Sequence, residues 1–239
     1  MAGVIGDKRD LELNALLEIT QAINNNLSES DLYRIYKFTL LADLKVTNLA
    51  MFVEDEKWRC EVDFGTSCDW SKVALPVKHM MYKDIVSLDE KDEFSEFSHA
   101  FPVNHKNKLL AIVFIGGHDE GVDITFLKAL TNILIVAIEN KKLARKQLEQ
   151  EAYRKELEIA KRVQNFLFPK RLPKSTRLKI DAVYLPHHDI GGDYYDYVSL
   201  GENRFMICIA DVSGKGVPAA LLMSNFQASL RTLVRKPQQ

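Results

Sequence analysis

The sequence predicts an α+β chain: two folded parts joined by one long helix. Three observations carry this. Two amphipathic helical stripes open the chain and give way at residue 48 to the alternation of strands. A single helical stripe then runs from near Val122 to Phe168. Beyond it, glycine–aspartate loops bracket a short apolar strand that leads into a last helix.

Residues 8–26 place Leu11, Ala15, Leu16, Ile19, Ala22 and Ile23 on one helical face, and Asn24-Asn25-Asn26 stops the helix. Ser28 with Asp31 is a variant capping box that starts the next helix, whose stripe is Leu32, Ile35, Tyr36, Thr39 and Leu40. Asn48 to Val53 and Trp58 to Phe64 read as an antiparallel pair turning at Glu54-Asp55-Glu56. Val73 to Val77 is expected as a further strand, at an edge because Pro76 cannot donate to a ladder. The acidic stretch 80–97 reads as a surface excursion. His99 to Val103 and Leu109 to Ile115 form the last two strands of this part, around a turn at 104–108.

In the long helix, Leu130, Leu134, Ala137, Ala144, Leu148, Ala152, Ile159, Val163 and Phe166 make an apolar stripe that only Lys141 interrupts. The even spacing of four through 144, 148 and 152 is a stutter. A stripe of about ten turns needs a partner, and a parallel homodimer through this helix is expected. Phe168-Pro169 ends it. Leu178 to Leu185 is an alternating strand. Val217 to Val234 is a helix with Pro218 in its first turn, expected to bury Ala219, Leu222, Met223, Phe226, Leu230 and Leu233. Arg231, Arg235 and Lys236 complement its dipole.

The chemistry concentrates in Asp189 to Gly216. Gly191 and Gly192 turn the backbone before Asp193; Phe205 to Ala210 is a strand ending at Asp211; Ser213-Gly214-Lys215-Gly216 leaves the backbone open beside that carboxylate. Two adjacent strands bring Asp193 and Asp211 to one sheet end. Carboxylate and carbonyl donors suit Mg²⁺ or Mn²⁺ rather than zinc. His187 and His188 point to opposite faces of an extended chain and cannot both hold one ion. Acidic residues beside glycines are also ordinary solvated turn residues, so the pattern alone leaves both readings open.

A balance of 46% hydrophobic and 27% charged residues over 239 positions describes a globular protein with room for two domains. A net charge of −1 gives no footprint for nucleic acid, and no segment approaches the ~20 apolar residues of a membrane span. Cys60, Cys68 and Cys208 are scattered without a CxxC pair, as in a reduced cytoplasmic protein.

GGDYYD followed by ADVSGKGVPAALLMS, with ELEIAKRVQNFLFPKRLP upstream, resembles the PP2C-like serine phosphatases of the SpoIIE/RsbU type, regulators of bacterial sigma-factor partner switching. The resemblance implies a phosphoprotein hydrolase using two Mn²⁺ or Mg²⁺ ions. Asp193 would sit on one ion and Asp211 between both, with a backbone carbonyl, assigned to Val212, completing the shell. Its substrate would be a phosphorylated anti-sigma-factor antagonist. NALLEITQAINNNLSESDLYRIYKFTL, two helices, the strand set and the exit helix are similar to a GAF-type sensor domain. Such domains hold cyclic nucleotides, tetrapyrroles or other small molecules, or nothing, and no cysteine is placed for a chromophore.

The implied organisation is a GAF-like domain over 1–140, a coiled-coil-like linker helix over 141–168, and over 169–239 the truncated start of a PP2C-like α-β-β-α sandwich. Family catalytic domains of roughly 200 residues carry further aspartates on later strands, so residues 1–239 alone are expected to have little phosphatase activity. Two rivals remain. Gly191-Gly192-Asp193 resembles the start of a diguanylate-cyclase GGDEF signature, although Tyr194-Tyr195 does not continue it. A non-enzymatic GAF and coiled-coil dimer that binds a ligand or partner is the other.

Overall fold

The computed structural model describes residues 2–89, 91, 93–116, 123–185, 190–201 and 204–235. The chain divides into two compact units, Met1–Ala144 and Arg145–Gln239, and the long helix runs through the boundary.

The first unit opens with α1 (Ala2–Asn24) and α2 (Glu29–Ala42). Asn26 takes a left-handed φ of 54° as the chain leaves α1, a conformation asparagine tolerates better than most residues. The Asp31 amide donates to the Ser28 hydroxyl at 3.1 Å, the cap the sequence predicts. The strands β1 (Asn48–Asp55), β2 (Lys57–Phe64), β3 (Val86–Ser87), β4 (His99–His105) and β5 (Lys108–Gly116) form one antiparallel sheet in the order β2-β1-β5-β4-β3. Lys106 and Asn107, both at positive φ, make a two-residue hairpin between His105 and Lys108.

Alternation along β1 sorts its side chains. Leu49, Met51 and Val53 face a core shared with Ala15 and Ile19 of α1 and Tyr36 and Leu40 of α2. The first turns of α3 (Ile124–Asn165) complete that core through Leu127, Leu130, Leu134 and Ile138. Asp123 starts α3 by accepting from the Thr125 amide at 2.8 Å. Lys141 is charged within the apolar stripe for a reason the sequence hid: its ammonium donates to the carbonyls of Asn26 and Leu27, at 3.0 and 2.6 Å, where α1 hands over to α2.

On the other sheet face, Ala50, Phe52, Ile112 and Phe114 pack against Trp70, Phe94 and Phe97. Phe94 stacks on Phe114 with ring centroids 4.1 Å apart and on Trp70 at 4.5 Å. Two expectations are corrected here. Val73 to Val77 is not a strand: Pro76 caps the 3₁₀ turn Val77–Met81, after another at Trp70–Lys72. The edge strand next to β4 is β3, inside the stretch read as a surface excursion, where Phe94 and Phe97 pack onto the sheet. His79 is buried, its Nδ1 2.7 Å from the Tyr82 hydroxyl. His118 lies outside the described residues.

The second unit contains the remainder of α3, an antiparallel pair β6 (Asp193–Ser199) and β7 (Phe205–Asp211), and α4 (Gly216–Arg235). Its core is Phe168, Tyr194 and Met223, flanked by Leu167, Tyr184, Tyr195, Cys208 and Leu230. The α3 helix stops at Asn165, three residues before Phe168, because Phe166 and Leu167 turn back onto the Val163 and Gln164 carbonyls. Leu178 to Leu185 does not form the expected strand. Only Lys174 and Lys179 bridge, and the rest finds no partner strand among the described residues. The buried face of α4 is narrower than its pattern: Ala219 and Met223 are covered, whereas Leu222, Phe226 and Leu233 are exposed.

Candidate functional site at the β6–β7 end

Register decides the geometry of the site. Asp193 opens β6, Asp211 closes β7, and the two are directly paired across the antiparallel ladder. Directly opposed residues project from the same face, with Cα atoms about 4.5–5.5 Å apart, so the two carboxylates share one rim, both exposed. That face continues through Ile207 and Ile209, and Ile209 is 86% exposed.

Val212 belongs to the same corner. Its amide donates to the Gly192 carbonyl at 3.3 Å. A Cβ on Gly192 would stand 2.3 Å from the Val212 oxygen, so only glycine fits against that carbonyl. In the following loop Gly214 and Gly216 take φ of 116° and 70°, which side chains with a Cβ disfavour.

The turn before Asp193 is held from two sides. Gln164, in the last turn of α3 and 5% exposed, donates from Nε2 to the Gly191 carbonyl at 2.6 Å and accepts from the Gly191 amide at 3.4 Å. The Tyr184 hydroxyl lies 3.3 Å from where a Gly191 Cβ would be. Burial, and then the charge of Asp193, push the Tyr184 phenol above its ordinary range. The Tyr184 ring packs on Phe168 with centroids 4.7 Å apart.

Asp196, also in the GGDYYD stretch, has another task. It is 2% exposed on the inner face of β6 and takes two bonds from Arg231 of α4, Nε at 2.7 Å and Nη2 at 2.9 Å. The Tyr194 hydroxyl and the Tyr197 amide donate to the same carboxylate. Burial alone would raise its pKa; the guanidinium and these donors outweigh burial and hold it below the usual carboxylate range. Arg231 therefore locks helix to strand, beyond complementing a dipole. Sequence reasoning gave Asp196 and Gln164 no role. The one signal for Gln164 was an amide pair, Gln164-Asn165, set between the apolar Val163 and Phe166.

Asp193, Asp211 and the Val212 carbonyl are oxygen donors of the kind a hard divalent cation takes, and the side-chain-free turn at Gly192 lets the Val212 carbonyl close against it. The donor set fits Mg²⁺ or Mn²⁺ with water or phosphate in the other positions. Among the described residues no cluster of three or more His, Cys, Asp or Glu is assembled for a metal. His187, His188 and Asp189 lie outside the described residues.

Fold and site together define a two-unit α+β chain whose second unit pairs Asp193 with Asp211 across an antiparallel hairpin behind a Gly-Gly turn. Residues 201–238 match the family model described as Stage II sporulation protein E (SpoIIE). The chain is 40% identical over 84 residues to phosphoserine phosphatase RsbU of Bacillus subtilis, covering 35% of this chain and 25% of that protein. It is 36% identical over 91 residues to protein IcfG of Synechocystis, covering 38% and 14%. It is 32% identical over 69 residues to phosphoserine phosphatase RsbP of B. subtilis, covering 29% and 17%. The matched part thus spans a quarter or less of each relative. Similar solved structures include the GAF domain of an Acinetobacter phosphoenolpyruvate-protein phosphotransferase, at 20% identity and a TM-score of 0.45, covering 56% of this chain and 97% of that one. The GAF domain of a Pseudomonas syringae sensor histidine kinase is another, at 13% identity and 0.47, covering 63% and 99%. Near its C-terminal end, over residues 201–238, the chain is similar to a SpoIIE-type domain.

Proposed function

We propose that this chain is the sensor, linker and first catalytic segment of a metal-dependent protein phosphoserine/phosphothreonine phosphatase that acts in sigma-factor partner switching. Its substrate on this reading is a phosphorylated anti-sigma-factor antagonist. One observation carries the proposal: Asp193 and Asp211 stand opposite each other at one end of a ladder, with the Val212 carbonyl against the turn that precedes Asp193. Divalent ions held there would lower the pKa of the attacking water and offset charge on the phosphate oxygens. Asp193 and Asp211 bind and orient and do not attack phosphorus. Gly192, lacking a side chain, lets the backbone close on Val212, and Gln164 fixes the turn from α3. No cysteine or histidine nucleophile is required.

Among the described residues, Asp193 and Asp211 are the carboxylates paired at this end, and no group of three or more His, Cys, Asp or Glu is assembled there. Mn²⁺ should nevertheless raise the melting temperature of the second unit, and Asp211→Asn should remove that rise. Equal stabilisation of the wild type and of Asp211→Asn would sink the assignment.

A second reading has its own support. Along α3, Leu148 is 68% exposed and Ile159 60%, while Arg145–Glu149, Lys155–Glu151 and Arg154–Glu158 pairs lie along the same helix. An uncovered apolar stripe with flanking charge suits a parallel coiled coil. A homodimer through α3 serves either a regulated phosphatase or a non-enzymatic sensor that binds a small molecule or a partner. GAF ligand and dimer alike belong to this proposal.

A further inference from the structure

Resting on the phosphoprotein reading of the site, we infer that the basic loop between Phe168 and Tyr184 is a docking platform for an acidic face of the phosphoprotein substrate. Residues 161–180 hold seven Lys and Arg and no Asp or Glu, in a chain where 32 basic residues face 33 acidic ones overall. All seven are exposed. Five of them, Lys170, Arg171, Lys174, Arg177 and Lys179, lie on the loop, whose two ends meet: the Phe168 and Tyr184 rings pack with centroids 4.7 Å apart. Phe168 also packs on Tyr195 at 5.1 Å, and the Tyr184 hydroxyl stands beside Gly191. Both ends are therefore rooted at the turn that leads into Asp193.

The backbone of the loop holds these charges together. The Ser175 amide donates to the Leu178 carbonyl at 2.8 Å, the Ile180 amide to the Pro173 carbonyl at 3.0 Å, and the Ser175 hydroxyl accepts from the Leu178 amide at 3.0 Å. That turn sets Lys174 opposite Lys179 in an antiparallel bridge, a pairing of like charges that is unfavourable by itself. One carboxylate, Asp181, faces both ammoniums, at 3.7 and 3.5 Å, which leaves the turn positive. A pre-ordered cationic surface of this kind raises the local concentration of acidic ligands beside the proposed phosphate site. The apolar residues Leu172, Leu178 and Ile180 are half-buried, so this turn presents no apolar wedge to a membrane. Residues 170–180 hold no aromatic ring on which bases could stack. Charge presented with little apolar surface fits the rim of a protein–protein contact.

The test uses the full chain and three fluorescent synthetic peptides, with binding followed by anisotropy: a phosphoserine flanked by glutamates, the same peptide with serine, and the serine peptide with glutamines in place of glutamates. The wild type should bind both glutamate peptides about tenfold more tightly than the glutamine one, and lose that preference as salt rises from about 50 to about 300 mM. Lys174→Gln combined with Arg177→Gln and Lys179→Gln should melt like the wild type yet erase the preference. Asp181→Asn should strengthen it about twofold or more, a gain that damage to the fold cannot mimic. Mn²⁺ should tighten binding of the phosphorylated peptide alone, and Asp211→Asn should cancel that tightening. An unchanged preference in the triple variant would overturn the inference, as would tighter binding to phosphatidylserine vesicles or to duplex DNA than to the glutamate peptides. Loop-dependent binding with no Mn²⁺ effect in the wild type would instead remove the metal-site reading, and the loop's link to substrate with it, while its recognition of acidic chains would stand.

Discussion

Replacing Arg231 with methionine keeps most of the side-chain volume on α4 but leaves Asp196 buried without its cation. The wild-type carboxylate is 2% exposed and accepts two guanidinium bonds, at 2.7 and 2.9 Å. Removing one partner of such a buried pair costs about 3–5 kcal/mol, which corresponds to a loss of amide protection in β6 and α4 of about a hundredfold or more. The Tyr194 hydroxyl and Tyr197 amide still donate to Asp196, so the lower end of that range is expected. The pH dependence gives a sharper reading. In the wild type the carboxyl is held below its unfolded value of about 3.9, so its contribution is present above that pH and fades as pH falls through the lower folded value. In Arg231→Met burial dominates, the folded pKa rises above the unfolded one, and the variant regains stability as pH falls toward it. Hydrogen exchange by mass spectrometry on peptides 193–199 and 219–230, from pH 7 to pH 4, measures both effects. Protection lost by less than tenfold, with a pH slope of unchanged sign, would refute the idea that this pair clamps α4 to the sheet.

Two further perturbations test separate links. Gly192→Ala puts a methyl 2.3 Å from the Val212 oxygen; it should pry the two aspartate loops apart, abolish Mn²⁺-dependent stabilisation and leave the first unit's melting unchanged, all visible in one thermal scan with and without Mn²⁺. Ile159→Glu with Val163→Glu puts charge on the exposed stripe of α3. Light scattering should then report a monomer where the wild type reports a dimer, and a wild type already monomeric at tens of micromolar would refute the dimer.

Much of the first unit was legible because its patterns are met locally. Ser28 and Asp31 sit three apart and cap α2, and β1 alternates between two cores, as its period of two requires. What failed there depended on tertiary contacts. Val73 and Val77 flank Pro76 and look like an edge strand, but the sheet edge is taken by the two-residue β3, whose neighbours Phe94 and Phe97 anchor it from the far face. No local signal marks an acidic stretch as covering an aromatic core. His79 follows the same logic: its sequence neighbours suggest solvent, while contact with Phe94 and Phe114 buries it.

In the second unit the pairing of Asp193 with Asp211 was readable because it needs only a hairpin, whose register follows from alternation and a turn. Which apolar rows would be covered was not readable. Leu222, Phe226 and Leu233 on α4, Phe205, Ile207 and Ile209 on β7, and Val183 and Leu185 before the Gly-Gly turn all carry the periodicity of buried residues, yet all are exposed. Periodicity records that a face is apolar; it does not say what lies against it. The polar contacts that tie the unit together, Gln164 to Gly191 and Arg231 to Asp196, join residues 27 and 35 positions apart and follow no period at all. They also hold the two sides of the candidate site, the turn before Asp193 and the helix after Asp211. The geometry around the aspartates therefore depends on contacts that a pattern of apolar positions cannot encode.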